Sequence, residues 1–406
     1  QLREGIVKAV DGLRPVVSDI AVSLYERPET GLNEHFAADK LVGILQENGF
    51  QVERGLAGLP TSFLARKGTG KPVIAFMAEY DALPAIGHGC GHNLMAACAV
   101  AAGIACSTVA RRGCCSVGES RFSGDLGQCS EDGPSWIVLG TPAEETIGGK
   151  VVMAEKGVFD GIDAAFIAHP GQRDSVGGGT PWASHPIEIT FHGRSAHAGG
   201  NPQGGINALD ACVQAYIAIR NLRNSLRDDV RIAGIITHGG DAQNIIPEKT
   251  SMRFTLRCTD WRYLEDVLIP SVKRCAQGAA LSTGTTVEFH HHENLFRDTL
   301  AYPVLRELAR NNFECIGHEI PPMTGGGGGV TDVGNVTWVT PSIQIGFRIG
   351  DARGHSVEMA DATVTDQGID ATVDAAKVLS LCAVDLMCSP KLLEAAKAHL
   401  AKRLQG

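Results

Sequence analysis

The segment EYDALPAIGHGCGHNLM, residues 79–95, places Glu79, Asp81, His88, Cys90 and His92 in one turn-rich stretch directly after an apolar run. Thiolate, imidazole and carboxylate are the donors that bind zinc or a similar divalent ion. A strand end followed by a glycine-bearing loop is where an open sheet presents such donors. Taken alone, the same residues also fit a buried thiol with histidines capping a helix. Further along, Glu144 and Glu145 follow the apolar run SWIVLG, His169 closes AAFIAHP, and His355 lies in RGHSVEM after SIQIGF. Singly, a glutamate pair in a loop is ordinarily solvated, and a histidine before proline is ordinarily a turn residue. Their joint occurrence at the ends of strands of one expected sheet points to a metal centre. Adjacent glutamates on an extended chain point apart, so one can ligate a metal while the other faces the substrate as a base.

The elements that must position these residues alternate along the chain. A helix of about twenty residues is expected to end near Glu29, and AADKLVGILQENGF reads as a second amphipathic helix. SFLARK and KPVIAFMAEYD read as strands, HNLMAACAVAAGIA as a small-residue helix packed closely on a sheet, SWIVLG as a strand, GGKVVMAEKGVF as a helix and AAFIAHP as a buried strand. Strand, helix, strand with chemistry at the C-terminal strand ends is the α/β pattern. Near position 182 the texture changes. Strand SHPIEITFHGRSAHAG, helix NALDACVQAYIAIRNLRNSL, strands RIAGIITHGGDAQNIIP and KTSMRFTLRCTD, helix LEDVLIPSVKRCAQGAALSTG and strand TTVEFHHH make a βαββαβ unit. The α/β texture then resumes with YPVLRELARNNF, SIQIGF and C-terminal helices from Asp361. The expected organisation is a mixed sheet flanked by helices, contributed by 1–181 and 296–406, with an inserted ferredoxin-like α+β domain at 182–295.

Composition agrees with a two-domain enzyme. The chain has 406 residues, of which 44% are hydrophobic, more than one core usually organises. A formal net charge of −9 argues against a nucleic-acid groove and against a polybasic membrane patch. No apolar run is expected to approach a membrane span, and the amphipathic start is unlike a secretory signal, so a cytoplasmic location is expected. The chain begins with Gln1 rather than Met, so a targeting segment upstream stays open. Twelve unevenly spaced cysteines fit reduced thiols better than a disulfide framework.

Five separated blocks, EYDALPAIGHGCGHN, LGTPAEE, FIAHP, GRSAHAG with GGINALDA, and NIIPEKTSMRFTLR, occur in the order and approximate spacing of a known family. The chain resembles the dinuclear metallopeptidases that include aminoacylases, carboxypeptidase G and amidohydrolases of acylated amino acids. Within them it is similar to the beta-alanyl-lysine dipeptidase and aminobenzoyl-glutamate hydrolase branch, over nearly its whole length.

This resemblance implies a metal-dependent hydrolase of a dipeptide or N-acyl amino acid, working as a homodimer with two divalent ions per subunit. Zinc is favoured by a thiolate ligand, with manganese or cobalt as alternatives. It implies Cys90, His92, Glu145, His169 and His355 as metal ligands, Glu144 as general base and Asp81 as the carboxylate that orients the centre. The inserted domain becomes a lid and dimerisation domain. Its His197 would reach the partner subunit's active site to stabilise the oxyanion, and Asn244 and Arg257 would hold the substrate carboxylate. Glu79 and His88 are left as supporting residues.

Three stretches depart from the family pattern. Cys106, Cys114, Cys115 and Cys129 lie in or beside a polar stretch that lengthens a connection, matches no zinc-ligand spacing and reads as an irregular surface loop. TGGGGGVTDVGN lacks the GK[ST] of a phosphate loop and reads as a mobile loop over the active site. His290, His291 and His292 end an expected edge strand and are left outside the site. Two rival classes stay open at this stage: a metal-dependent hydrolase of an ester or carbamoyl bond, and a non-catalytic binder that keeps the fold.

Overall fold

The computed structural model describes residues 1–110, 133–177, 182–291, 293–321 and 329–405. Cys114, Cys115, Cys129, His292 and the glycines at 325–328 lie outside them. The chain divides into two compact units, one of Gln1–Gly179, Thr299–Gly327 and Thr331–Gly406, the other of Thr180–Asp298 and Gly328–Val330.

The first unit is built on a seven-stranded mixed sheet. Its spatial order is Gln51–Arg54, Phe63–Lys67, Ser135–Gly140, Val73–Ala78, Ala164–Gly171, Ser342–Arg348 and Ser175–Val176. The four strands from Ser135–Gly140 to Ser342–Arg348 run parallel, and antiparallel strands close both edges. Val73–Ala78, Ser135–Gly140 and most of Ala164–Gly171 are apolar on both faces, as a sheet covered on both sides requires. Ala75, Met77, Ile137, Leu139, Ala165 and Ile167 share one core with Met153, Val333 and Val336 from the short helices Gly149–Glu155 and Val333–Thr337. On the other face lies the helix His92–Val109, rich in alanine and buried nearly throughout. A side chain at Gly103 would meet Val138 Cγ2 at 2.4 Å, so glycine there permits the close approach of helix to sheet.

Three sequence expectations change. The N-terminal helix is two helices, Leu2–Gly12 and Arg14–Glu26, parted at Leu13. Pro15 explains the break: it lacks an N–H and is tolerated only in the first turn of the second helix. His92–Val109, with 18 residues and a mean hydropathy of 1.4, does reach the length and apolarity of a membrane span, yet 89% of it is buried inside the protein. Cys106 belongs to this helix and is buried rather than part of a surface loop. All described cysteines are free thiols.

The second unit is a four-stranded antiparallel sheet in the order Thr286–His290, Ala183–His192, Lys249–Cys258, Arg231–His238. Numbered along the chain this is 4-1-3-2, the ferredoxin-like arrangement of a βαββαβ unit. Period-two alternation puts Ile187, Ile189, Phe191, Met252, Phe254 and Leu256 on one face, where they pack with Ala211, Ala215, Val272 and Ala276 of the helices Ala208–Asn221 and Ile269–Thr283. Asn207 caps the first helix by accepting from the Leu209 N–H at 2.9 Å. Arg231–His238 is left as an edge strand.

Candidate metal centre

Because the four central strands are parallel, their C-terminal ends open on one edge of the sheet, and the chemistry collects there. Glu79 and Asp81 follow Val73–Ala78, Glu144 and Glu145 follow Ser135–Gly140, His169 ends Ala164–Gly171, and His355 lies beyond Ser342–Arg348. Ligand atoms of Cys90, His92 and His169 lie within 4.8 Å of one another, and so do those of Cys90, Glu145 and His355. The two trios share Cys90. A third group at this spacing is Glu79, His92 and Glu144. The neighbouring glutamates, which lie in the turn after Ser135–Gly140, therefore enter different groups.

Local backbone geometry fixes these side chains. Gly91, at φ 83°, precedes the helix that starts with His92, and a side chain there would strike Pro170 Cγ at 2.4 Å. Ala143 and His355 both adopt positive φ, 61° in each case, a strained state for residues with a Cβ that tends to cluster at functional sites. Ala143 is held by its N–H donating to Glu34 Oε1 at 2.8 Å, and Glu34 also accepts from the Thr61 hydroxyl at 2.7 Å. His355 is held by its N–H donating to the Gly89 carbonyl at 2.8 Å, which ties its loop to the turn bearing Cys90.

Asp81 lies behind the candidate ligands His92 and Glu145. Its Oδ1 lies 3.0 Å from His92 Nδ1 and its Oδ2 accepts from the Glu145 N–H at 2.9 Å. Burial opposes ionisation of Asp81, but His92, the Glu145 N–H and Lys150 together hold it below the usual carboxylate range. With Nδ1 so engaged, His92 presents Nε2, which is buried and makes no directed hydrogen bond although Glu79 Oε2 lies 3.2 Å away. His169 Nδ1 faces the Pro170 carbonyl at 2.8 Å, and its Nε2 lies 3.5 Å from Cys90 Sγ. His355 Nε2 lies 3.4 Å from Glu145 Oε1. Imidazole nitrogens, a thiol and a carboxylate facing one another, with His92 and His169 engaged from behind through Nδ1, fit divalent ions.

Burial is the largest influence on Cys90 and pushes its thiol up to about 12, so ionisation of this thiol would call for a compensating cation. Burial likewise drives His169 down and, with His92 adding to it, His88 down to about 3. The Glu144 carboxyl stands well above its ordinary range, first through burial and then through Glu79 and Asp332. Spacing and composition give no sign of Glu34, Lys150 or Asp332. Lys150 is fully buried, with Nζ 2.6 Å from Glu79 Oε1 and 2.8 Å from Asp332 Oδ1.

The remaining candidates belong to the second unit. His197, exposed, sits in the two-residue strand Ala196–His197 paired with Ile245–Ile246, and the Ala198 N–H donates to the Asn244 carbonyl at 2.9 Å. His197 Nδ1 accepts from the Gly199 and Gly200 N–H groups at 3.2 and 2.9 Å, so the neutral ring carries its proton on Nε2 and can donate from there. Arg257 is elsewhere. It lies near the opposite end of Lys249–Cys258, about 27 Å along the strand from Lys249. Within one protomer, Asn244 and Arg257 are therefore set at opposite ends of that strand.

A parallel-sheet edge with clustered thiol, imidazole and carboxylate donors, in a chain that also carries a ferredoxin-like inserted unit, defines a metal-dependent hydrolase. Residues 185–272 match a family model described as the peptidase dimerisation domain of the M20 peptidases. The chain is 32% identical to the Xaa-Arg dipeptidase of Mus musculus, covering 100% of this chain and 93% of that protein. It is also 32% identical to one of the two polypeptides of the p-aminobenzoyl-glutamate hydrolase of Escherichia coli K12, covering 69% and 58% of the two chains. Its fold matches a Bacillus subtilis protein described as a dinuclear metal binding peptidase from the M20 family, with a TM-score of 0.67, 19% identity, and 93% and 99% of the chains covered. The chain belongs to the M20 peptidase family, whose members hydrolyse amide and peptide C–N bonds.

Proposed function

We propose that this protein is a dipeptidase that cleaves substrates with a basic C-terminal residue, using two divalent ions per subunit. The observation that carries the reading is the pair of ligand trios sharing Cys90. Cys90, His92 and His169 would hold one ion and Cys90, Glu145 and His355 the other, with zinc favoured by the thiolate. The basic C-terminal preference is taken from the likeness to the Xaa-Arg dipeptidase over the full chain.

When bound, the ions supply Lewis acidity to water and to the scissile carbonyl. Glu144, kept basic by its buried and acidic surroundings, takes the proton from water and returns it to the leaving amine. Asp81 fixes the His92 tautomer through Nδ1. His197, with its proton on Nε2, donates to the developing oxyanion, and Asn244 beside it contacts the substrate carboxylate.

A homodimer fits the second unit. The edge strand Arg231–His238 has no strand partner on its outer side among the described residues, and Ile235 on it is 64% exposed. Helix Ala208–Asn221 lies alongside, because Tyr216 and Arg220 donate to the Gly234 and Ile232 carbonyls. It presents Val213 and Ile217, 42% and 54% exposed. A second copy covering this surface would bury an apolar face that the unit leaves open.

The test is a hydrolysis panel with metal-loaded protein, comparing dipeptides ending in arginine, lysine or ornithine with N-acyl amino acids and aminobenzoyl-glutamate. Preferred cleavage of the basic dipeptides is expected. Turnover confined to aminobenzoyl-glutamate would transfer the reading to the amidohydrolases, and turnover of none would reject it.

A further inference from the structure

We propose that Lys150 is a positioning residue whose buried charge keeps divalent ions out of the Glu79–His92–Glu144 corner, so that they settle on the trios sharing Cys90 and leave Glu144 free. The proposal rests on the metal-dependent reading above.

The structure holds more ligand groups than a dinuclear centre uses. Glu79, His92 and Glu144 bring two carboxylates and an imidazole within 4.8 Å, a donor set that zinc, manganese and cobalt all accept. His92 Nε2 serves both this group and the trio with Cys90 and His169, and one nitrogen cannot bind two ions. An ion seated in the corner would occupy the carboxylate proposed as general base and draw His92 away from Cys90.

Lys150 distinguishes the corner from the other two groups. Its side chain is completely buried, and Nζ contacts Glu79 Oε1 at 2.6 Å and Asp332 Oδ1 at 2.8 Å. Asp332 fixes it at both ends, because Oδ2 accepts the Lys150 backbone N–H at 2.9 Å. The helix Gly149–Glu155 carries Lys150 in its first turn, and the ammonium cannot swing away without breaking its ion pairs with Glu79 and Asp332. A fixed cation on Glu79 neutralises one of the corner's two carboxylates and repels a second cation. None of the five proposed ligands is paired with a Lys or Arg ammonium or guanidinium among the described ion pairs. Burying an ammonium with two carboxylates is costly as a mere structural tie, and selection among overlapping metal sites gives that cost a use.

The experiment compares cobalt-loaded wild type with Lys150→Met and with Lys150→Met/Glu79→Gln. Three readouts are taken: ions bound per chain, the thiolate-to-cobalt charge-transfer absorption per bound ion, and kcat and KM separately. Wild type is expected to show the thiolate band. Lys150→Met is expected to weaken the band per bound ion and to lower kcat by about tenfold or more with KM little changed. The double variant, which removes the cation and a carboxylate together, is expected to recover both. If Lys150→Met does not fold, the double variant alone decides: a wild-type band and kcat support the proposal, and a weak band in folded protein overturns it. A folded Lys150→Met with an unchanged band also overturns it, as does loss of kcat that the double variant fails to recover. Wild type that lacks the band but binds two ions would remove Cys90 from the centre, and with it the role given to Lys150. Hydrolysis independent of any divalent ion would instead reject the metal-dependent reading itself.

Discussion

Glu144 and Glu145 are neighbours in the chain with different surroundings, one beside Glu79 and His92, the other beside Cys90 and His355. Glu144→Gln is therefore expected to retain both ions by elemental analysis while kcat falls by about a hundredfold to ten-thousandfold, the usual worth of a general base. Turnover near wild type would take Glu144 out of the base role. Cys90→Ser is expected to do the reverse, lowering metal content because the residue belongs to both trios; unchanged occupancy would remove the thiolate from the centre. These residues were legible because their types are chemically distinctive and five of them crowd into residues 79–92. The residues that hold them were not. Glu34 supports Ala143 across 109 positions and Lys150 meets Asp332 across 182, and a lone buried glutamate or lysine has no sequence signature until its partner is found in space.

At the scale of elements, the strand ends present the chemistry, and the strands must be held in register for the trios to form. Asp163 does this for two of them. It accepts from the Val73 N–H at 2.7 Å and pairs with Lys71 and with Lys397 of the C-terminal helix Pro390–Gln405. Burial opposes its ionisation, but the Lys397 and Val73 hydrogen bonds outweigh that and hold its pKa below the ordinary value. A carboxylate with a lowered folded pKa stabilises above its unfolded value of about 3.9 and loses that contribution as pH falls through the folded pKa. Asp163→Asn is expected to cost about 1–3 kcal/mol at pH 7, with the Tm gap to wild type closing below about pH 4. A gap that persists unchanged into acid would assign the loss to shape rather than charge. Most elements could be read from apolar runs and period-two alternation. The break at Leu13 could not, because the apolar pattern runs on across it and only Pro15 marks it. The strand Gln51–Arg54 also escaped, since an exposed edge strand of four residues carries no apolar pattern.

At the scale of the whole molecule, the fold separates a unit that gathers the candidate metal ligands from a unit that carries His197, a dimerisation-domain match and an exposed edge strand. If His197 serves the partner's site, inactive His197→Ala and Glu144→Gln protomers should complement each other. Mixed and re-equilibrated in equal amounts, they should regain about a quarter of wild-type activity, since half the dimers are mixed and each has one intact site. No recovery from demonstrably mixed dimers would place His197 in its own protomer's site or in none. The insertion was legible from the change of texture near position 182, whereas the distance of Arg257 from Asn244 depended on the length of one strand. The central claim is that hydrolysis depends on two ions that the trios sharing Cys90 would hold. Its most direct test is to strip the protein with a chelator, titrate zinc back, and follow bound metal and cleavage of a dipeptide ending in arginine together. Activity should vanish on stripping and return in step with binding up to two ions per chain. Full hydrolysis by the stripped protein, or activity complete at one ion, would contradict it.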